Sequence, residues 1–387
     1  MLDRIRQKVV ENERVTREEG LYLLREAPLL DLPPLAQVVR FRRNPESEVT
    51  FVVDTNLNYT NVCDAYCTFC AFYRTEKDRD AYTHSVEEMM AMFAKAAEAG
   101  ITTVLLQGGL NKTLPFEYYL DLVRETRRRF PDIHPHFYSA PEVMKMVEIS
   151  GLPLEEVLKK LHEAGLRTLP GGGAEILSDR VRPRFAKLFP KAKTADWIDV
   201  HRAAHRAGIR STATMMYGHI ENDEDIIEHL ETVRRLQDET RGFAAFVPWS
   251  YKRENTALSK HVPREAGPNR YLRIMAVSRI YLDNFDHVQA SWFSEGKKTG
   301  VVALHFGGDD FGGTLFEENV MLSAGFYNRV TVDEVVALIR DAGFTPVQRT
   351  TLYEKIRYFK PTMSSKGECV PGSSGSAGSI PRSDARS

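Results

Sequence analysis

Cysteine is scarce in this chain, with four among 387 residues, and no apolar stretch approaches the 18 or so residues that a bilayer span requires. Charge of either sign is not in surplus either. Lys and Arg number 52 against 53 Asp and Glu, so nothing in the composition recommends a nucleic-acid backbone or an anionic membrane surface as partner. The densest basic run, Arg127 to Arg129, reads as a solvated helix end. The N-terminus MLDRIRQKVVENERV is charged and helix-like, unlike a signal peptide, so the expectation is a soluble, cytoplasmic protein. Without a secretory signal a disulfide framework is not expected, which leaves chemistry or metal binding as the use of cysteine.

What is present is a repeating order of apolar, β-branched segments and helical ones. VTFVVDTNLNY (49–59) comes first, followed by TTVLLQGG (102–109), HPHFYSA (134–140), RTLPGGGAE (167–175), RSTATMMYGH (210–219), GFAAFVPWSY (242–251) and HVQASWF (287–293). Between them lie helical stretches with recognisable ends, such as Ser85-x-x-Glu88 opening a helix that Gly100 stops. Alternation of this kind implies parallel pairing with right-handed crossovers. For the eighth unit, VVALHF (301–306) as a strand would leave only SEGKKTG as its connection, too short for a parallel crossover. A helix over 297–306 and a last strand near 308–315 is therefore expected, with 331–344 as the closing helix. The fold class is α/β, a (β/α)8 TIM-type barrel over 49–360, with a helical extension at 1–48 and a disordered tail at 361–387; a doubly wound open sheet is the rival. Cys369 falls in that tail and is read as incidental.

The other three cysteines, Cys63, Cys67 and Cys70, fall together in NYTNVCDAYCTFCAFYR with C-x3-C-x2-C spacing, directly after the first strand. A structural zinc would want a fourth ligand close by, and the nearest histidine is His84. A fully ligated 4Fe-4S cluster would also want a fourth cysteine. Three thiolates leave one coordination position open, as a catalytic metal requires. In a barrel the working groups gather where strands end, and Gln107-Gly108-Gly109, Gly171 to Glu175, Tyr217-Gly218-His219, Trp249 and Trp292 all fall there.

The cysteine spacing resembles that of the radical S-adenosylmethionine (SAM) superfamily. The resemblance implies a 4Fe-4S cluster on Cys63, Cys67 and Cys70, with the amino and carboxylate groups of SAM on the fourth iron. Phe69 takes the place of the aromatic residue that precedes the third cysteine in that family. Gln107, Gly108 and Gly109 stand where the family commonly has Gly-Gly-Glu, although Leu110 occupies the acidic position, so only a backbone role carries over. Glu175 is a candidate for contact with the SAM ribose or amino group.

Over residues 48–358 the segments LLQGG, LPGGGAEI, TATMMYGH, LQDET, FVPWSY followed by ENT, LDNF, QASW and DDFGGTLFEENV are similar to the dehypoxanthine futalosine cyclases of menaquinone biosynthesis. Aminofutalosine synthases and the radical SAM halves of deazaflavin synthase are sister families and remain alternatives, as does a zinc- or cluster-binding scaffold. The resemblance implies an oxidoreductase that removes hydrogen from the ribose 4′ carbon, after which the substrate radical attacks its own benzoate ring. It also implies an electron donor such as flavodoxin or ferredoxin. For the substrate, Tyr73, Arg74, Trp249, Asn255, Gln289, Trp292 and Asp310 are the candidates, with Arg74 meeting a carboxylate. Glu317, Glu318 and His219 are the candidates for final proton acceptor.

Overall fold

The computed structural model describes residues 1–186, 193–327 and 329–360; the expected tail at 361–387, with Cys369, lies outside the described residues. The first strand segment is interrupted at Val53, giving β1 (Glu48–Val52) and β2 (Asp54–Leu57). Six more parallel strands follow β2 in order: β3 (Thr103–Leu106), β4 (His134–Phe137), β5 (Thr168–Leu169), β6 (Arg210–Tyr217), β7 (Phe243–Ser250) and β8 (His287–Val288). β9 (Asp310–Gly313) pairs in parallel with β1, and an isolated bridge from Gln289 to Asp310 links it to the end of β8. The pairings thus run round a ring, since β1 and β2 are one stretch of chain. Near-complete burial of β2, β7 and β9 reflects a sheet covered on both faces.

Local chemistry explains the helix ends. Ser85 accepts the Glu88 amide while Glu88 reaches back to Ser85, opening the helix Val86–Glu98, and Asn222 and Asp225 do the same for Asp223–Thr240. The helix Lys297–His305 precedes β9 as the crossover length requires. Two strands are shorter than expected. β5 stops at Leu169 because Pro170 lacks an N–H for the ladder, and β8 stops at Val288, after which Trp292–Glu295 turns helical.

Beyond the helix Val332–Asp341 the chain adds a hairpin absent from the sequence expectation, β10 (Thr345–Arg349) and β11 (Lys355–Tyr358). β10 lies parallel to β1, with Glu48 opposite Thr345, and β11 returns antiparallel. The turn between them presses on strand beginnings. Thr351 meets Thr103 at 2.8 Å, and the Tyr353 ring stacks on His287 with centroids 3.7 Å apart. The hairpin therefore stoppers the N-terminal end of the ring, opposite the end where the cysteines lie. On the outside, the helix Leu32–Arg43 packs on Pro268–Tyr281, and Arg17–Arg25 on Asp223–Thr240. Among the described residues no helix is long and apolar enough to cross a membrane.

Candidate active site

The cysteine loop leaves β2 and is tied by its own main chain. Cys63 donates to the Arg74 carbonyl at 3.0 Å, and Arg74 donates to the Asn61 carbonyl at 2.7 Å. The Arg74 guanidinium caps the carbonyls of Ala71, Phe72 and Tyr73 and pairs with Asp80 at 2.7 Å. Gly109 lies against the loop so closely that a Cβ there would stand 2.1 Å from the Val62 oxygen and 3.0 Å from Cys63 Cβ. Gly108 likewise has no room, because the Tyr59 ring would be 2.5 Å away. Close approach explains both glycines; positive φ does not, since neither adopts it.

Inside the ring lies a cavity of about 360 Å³ that runs from the loop down to the stopper. Its upper wall includes Phe69, Cys70, Gln107, Gly172, Glu175 and Glu318, and its floor includes Asp54, His136, Arg349 and Tyr353. Arg349 pairs in bidentate fashion with Asp310, 2.9 Å from Nη2 to Oδ1, and its guanidinium lies 3.9 Å from the Tyr353 ring centroid. Burial depresses the His136 imidazole to a pKa of about 3, so it is neutral and shares a 2.8 Å hydrogen bond with Thr168. Burial raises three carboxyls on this wall, Asp54, Glu318 and Glu142, the last although Ser139, Tyr59 and the Gly108 amide hydrogen-bond to it. Asp54 moves to about 6 against the pull of the Leu315 amide and Arg349, and Glu318 moves to about 7 although the Met321 and Val320 amides and Asn56 hydrogen-bond to it.

The structure brings Phe69, Cys70, Gln107, Gly108, Glu175, Trp249, Gln289 and Glu318 to one cavity. The other candidates lie elsewhere or are engaged. Arg74 caps its own loop's carbonyls through Nη1 and pairs with Asp80 through Nε, and it borders clefts beside the loop rather than this cavity. Asp310 is fully buried under Arg349, Thr50 and the Gly312 amide and does not line the cavity itself. Trp292 is fully buried, donating to the Gly313 carbonyl at 3.1 Å and stacking on Phe311. Asn255 bonds to the Ser323 carbonyl, and Tyr73 packs on Tyr66, both outside this cavity. His219 is buried behind Phe185, with Nε2 at 3.1 Å from the Met216 carbonyl, and Glu317 faces other surface clefts. Gly108 gives its amide to Glu142 at 2.9 Å, and Gly109 gives its own to the Thr60 carbonyl.

Sequence reasoning missed Glu142, Arg182, Arg349 and the lumen face of β2. Buried Glu142 also accepts from Tyr59 at 2.8 Å and from Ser139, fixing the Gln107 to Gly109 turn. Arg182, 1% exposed, donates to the carbonyls of Gly173, Ala174 and Ile176 and interacts electrostatically with Glu175, Asp179 and Cys67. Arg182 thereby fixes the shape of the glycine-rich turn.

None of the three loop cysteines is in a disulfide, and Cys70 stands on the cavity wall. Residues 57–233 match the Radical SAM superfamily, and 240–362 match the CofH/MqnC C-terminal region. A cyclic dehypoxanthine futalosine synthase from Halalkalibacterium halodurans is 40% identical over 93% of this chain and 96% of its own. The chain belongs to the radical SAM superfamily. It is likewise similar to a 5-amino-6-(D-ribitylamino)uracil–L-tyrosine 4-hydroxyphenyl transferase from Methanopyrus kandleri, 43% identical over 80% of this chain and 85% of the relative. The structure of the FeFe-hydrogenase maturase HydG from Carboxydothermus hydrogenoformans shares the fold with a TM-score of 0.71, at 17% identity over 91% of this chain and 80% of that one.

The residues present fit the cofactors that this superfamily implies. Thiolate is a soft ligand suited to iron-sulfur chemistry, and three thiols from one loop are the donor set. Each of the three could give one thiolate to a separate iron of a cubane.

Proposed function

We propose that this radical SAM enzyme cyclises dehypoxanthine futalosine to its cyclic product in menaquinone biosynthesis, in the cytoplasm, with a flavodoxin or ferredoxin as electron donor. The observation that carries the reading is the placement of the cysteine loop at the head of a lumen closed at its base, whose wall also holds a carboxyl with a pKa of about 7. The Halalkalibacterium relative supports the choice of substrate.

In this reading Cys63, Cys67 and Cys70 hold the cluster, and Gln107, Glu175 and Phe69 border the SAM position. Bound there, the two cofactors supply hydrogen-atom removal from an unactivated carbon. The protein's part is positional. The hairpin closes the base of the lumen, and Trp249 and Gln289 line the wall against which an aromatic ring and a sugar are held in near-attack range. Ring closure joins the sugar carbon to the benzoate ring, and aromaticity returns when that ring gives up one proton and one electron, the electron being one that the oxidised cluster held by Cys63, Cys67 and Cys70 would accept. Glu318 accepts the proton. Of the three acid-base candidates it is the one on the cavity wall, and a pKa near working pH suits a general base.

The test is anaerobic incubation of reconstituted, reduced protein with SAM and dehypoxanthine futalosine, with the product followed by mass. A product lighter by two hydrogens is expected, and exchanging any loop cysteine for serine should abolish it together with cluster iron. The second reading, a transferase like the Methanopyrus relative, rests on that match alone. It would replace the present one if tyrosine and the ribitylaminouracil were turned over and the nucleoside were not.

A further inference from the structure

Period-two alternation along β2 and into the residue after it sets Asp54, Asn56 and Asn58 on one side, and all three line the lumen. They are 7%, 8% and 4% exposed. Protein acceptors take the amide donors of both asparagines: Asn56 Nδ2 gives to Glu318 Oε1 at 3.0 Å, and Asn58 Nδ2 gives to the Gln107 carbonyl at 2.9 Å. Those partners fix each amide's orientation and leave its Oδ1 buried with no donor. An acceptor shut away from both water and donors is costly, and so points to a partner that arrives later. Asp54 adds a carboxylate that takes the Leu315 amide on Oδ1 at 2.8 Å. Gly313 makes space for it, because a Cβ there would stand 2.1 Å from both carboxylate oxygens. The nearest lumen cation, Arg349, is committed to Asp310 and the Thr350 carbonyl. This face therefore repels anions and calls for O–H donors.

We propose that Asp54, Asn56 and Asn58 form an acceptor rail that binds the ribose hydroxyls of a nucleoside substrate. The inference rests on the nucleoside reading above and adds which wall receives the sugar. The rail leaves the benzoate carboxylate to some other part of the lumen.

The test measures binding by equilibrium dialysis to the anaerobic, cluster-loaded enzyme without reductant, so that nothing turns over. The probes are dehypoxanthine futalosine, its 2′-deoxy and 3′-deoxy counterparts, and SAM alone. The native enzyme should bind the parent about tenfold more tightly than at least one deoxy probe. Asn56→Leu and Asn58→Leu should bind parent and deoxy probes alike. Gly313→Ala, which displaces the Asp54 carboxylate without touching either amide, gives a second route and should weaken the parent by a similar factor. Undiminished discrimination in both leucine variants, or in Gly313→Ala, overturns the rail and leaves the cyclase reading intact. Variants that lose SAM about tenfold and keep nucleoside discrimination also overturn it, assigning the face to the cofactor's ribose. A native enzyme that binds no nucleoside probe overturns the cyclase reading itself.

Discussion

Replacing Glu318 with glutamine separates a base from a mere lining residue. In the native protein its carboxyl is raised from 4.5 to about 7, chiefly by burial, and the Met321 and Val320 amides and Asn56 Nδ2 oppose the rise. Folded protein thus holds this proton more tightly than unfolded chain does. The associated stability is fully present below about 4.5 and is lost as pH rises through about 7. At pH 8 the ionised carboxylate then costs up to about 3 kcal/mol, a charge penalty that glutamine does not carry. Glutamine loses about 1 kcal/mol where one donor no longer finds an acceptor oxygen. The variant should therefore melt no lower than the native protein at pH 8. Its cyclisation rate should nevertheless fall by about 10² to 10⁴, the usual worth of a positioned base. The assay is anaerobic product formation across pH 5.5 to 9, with methionine release followed in parallel. Native activity should climb with pH through about 7 and level off, whereas the variant should release methionine and lack that climb. A variant within twofold of native rate, with the same pH profile, would refute the assignment of Glu318.

Gly109→Ala should push the cysteine loop away from the third strand, because its new methyl would meet the Val62 carbonyl at 2.1 Å; iron retained per chain after gel filtration should fall, with about 1–3 kcal/mol of stability lost. Arg349→Met should cost about 3–5 kcal/mol in denaturant unfolding by leaving the Asp310 carboxylate buried without its cation, and a loss below about 1 kcal/mol would contradict the pairing. Asp54→Asn should stabilise the fold by up to about 3 kcal/mol above pH 6, with no gain below about pH 4, since burial lifts this carboxyl from 3.8 to about 6. Unfolding at pH 4 and pH 8 checks the sign.

The chain's alternation of strand and helix was legible because parallel strands buried on both faces read as apolar runs, and crossover length placed the helix Lys297–His305 and the strand Asp310–Gly313. The hairpin after residue 344 was not, since TPVQR and KIRY carry little apolar signal and their pairing with β1 joins residues about 300 positions apart in sequence. The cysteine loop was legible from spacing alone. Arg74 and Asp310 illustrate the opposite case. Each has the chemistry to hold a substrate, yet Arg74 turns back on its own loop and Asp310 is engaged by Arg349, a partner 39 residues away. Trp292 shows the same ambiguity for aromatics, whose bulk serves a core as readily as a pocket. The alternation of Asp54, Asn56 and Asn58 stood in the sequence, but its meaning needed the lumen that all three face.

The self-tied cysteine loop has a consequence for where its thiols can be disturbed. Because Asn61, Cys63 and Arg74 clasp one another through main-chain bonds, and the Arg74 guanidinium caps the intervening carbonyls, the loop's outline is set by backbone contacts as well as by its side chains. A change at Arg74 is therefore felt at every sulfur the loop carries.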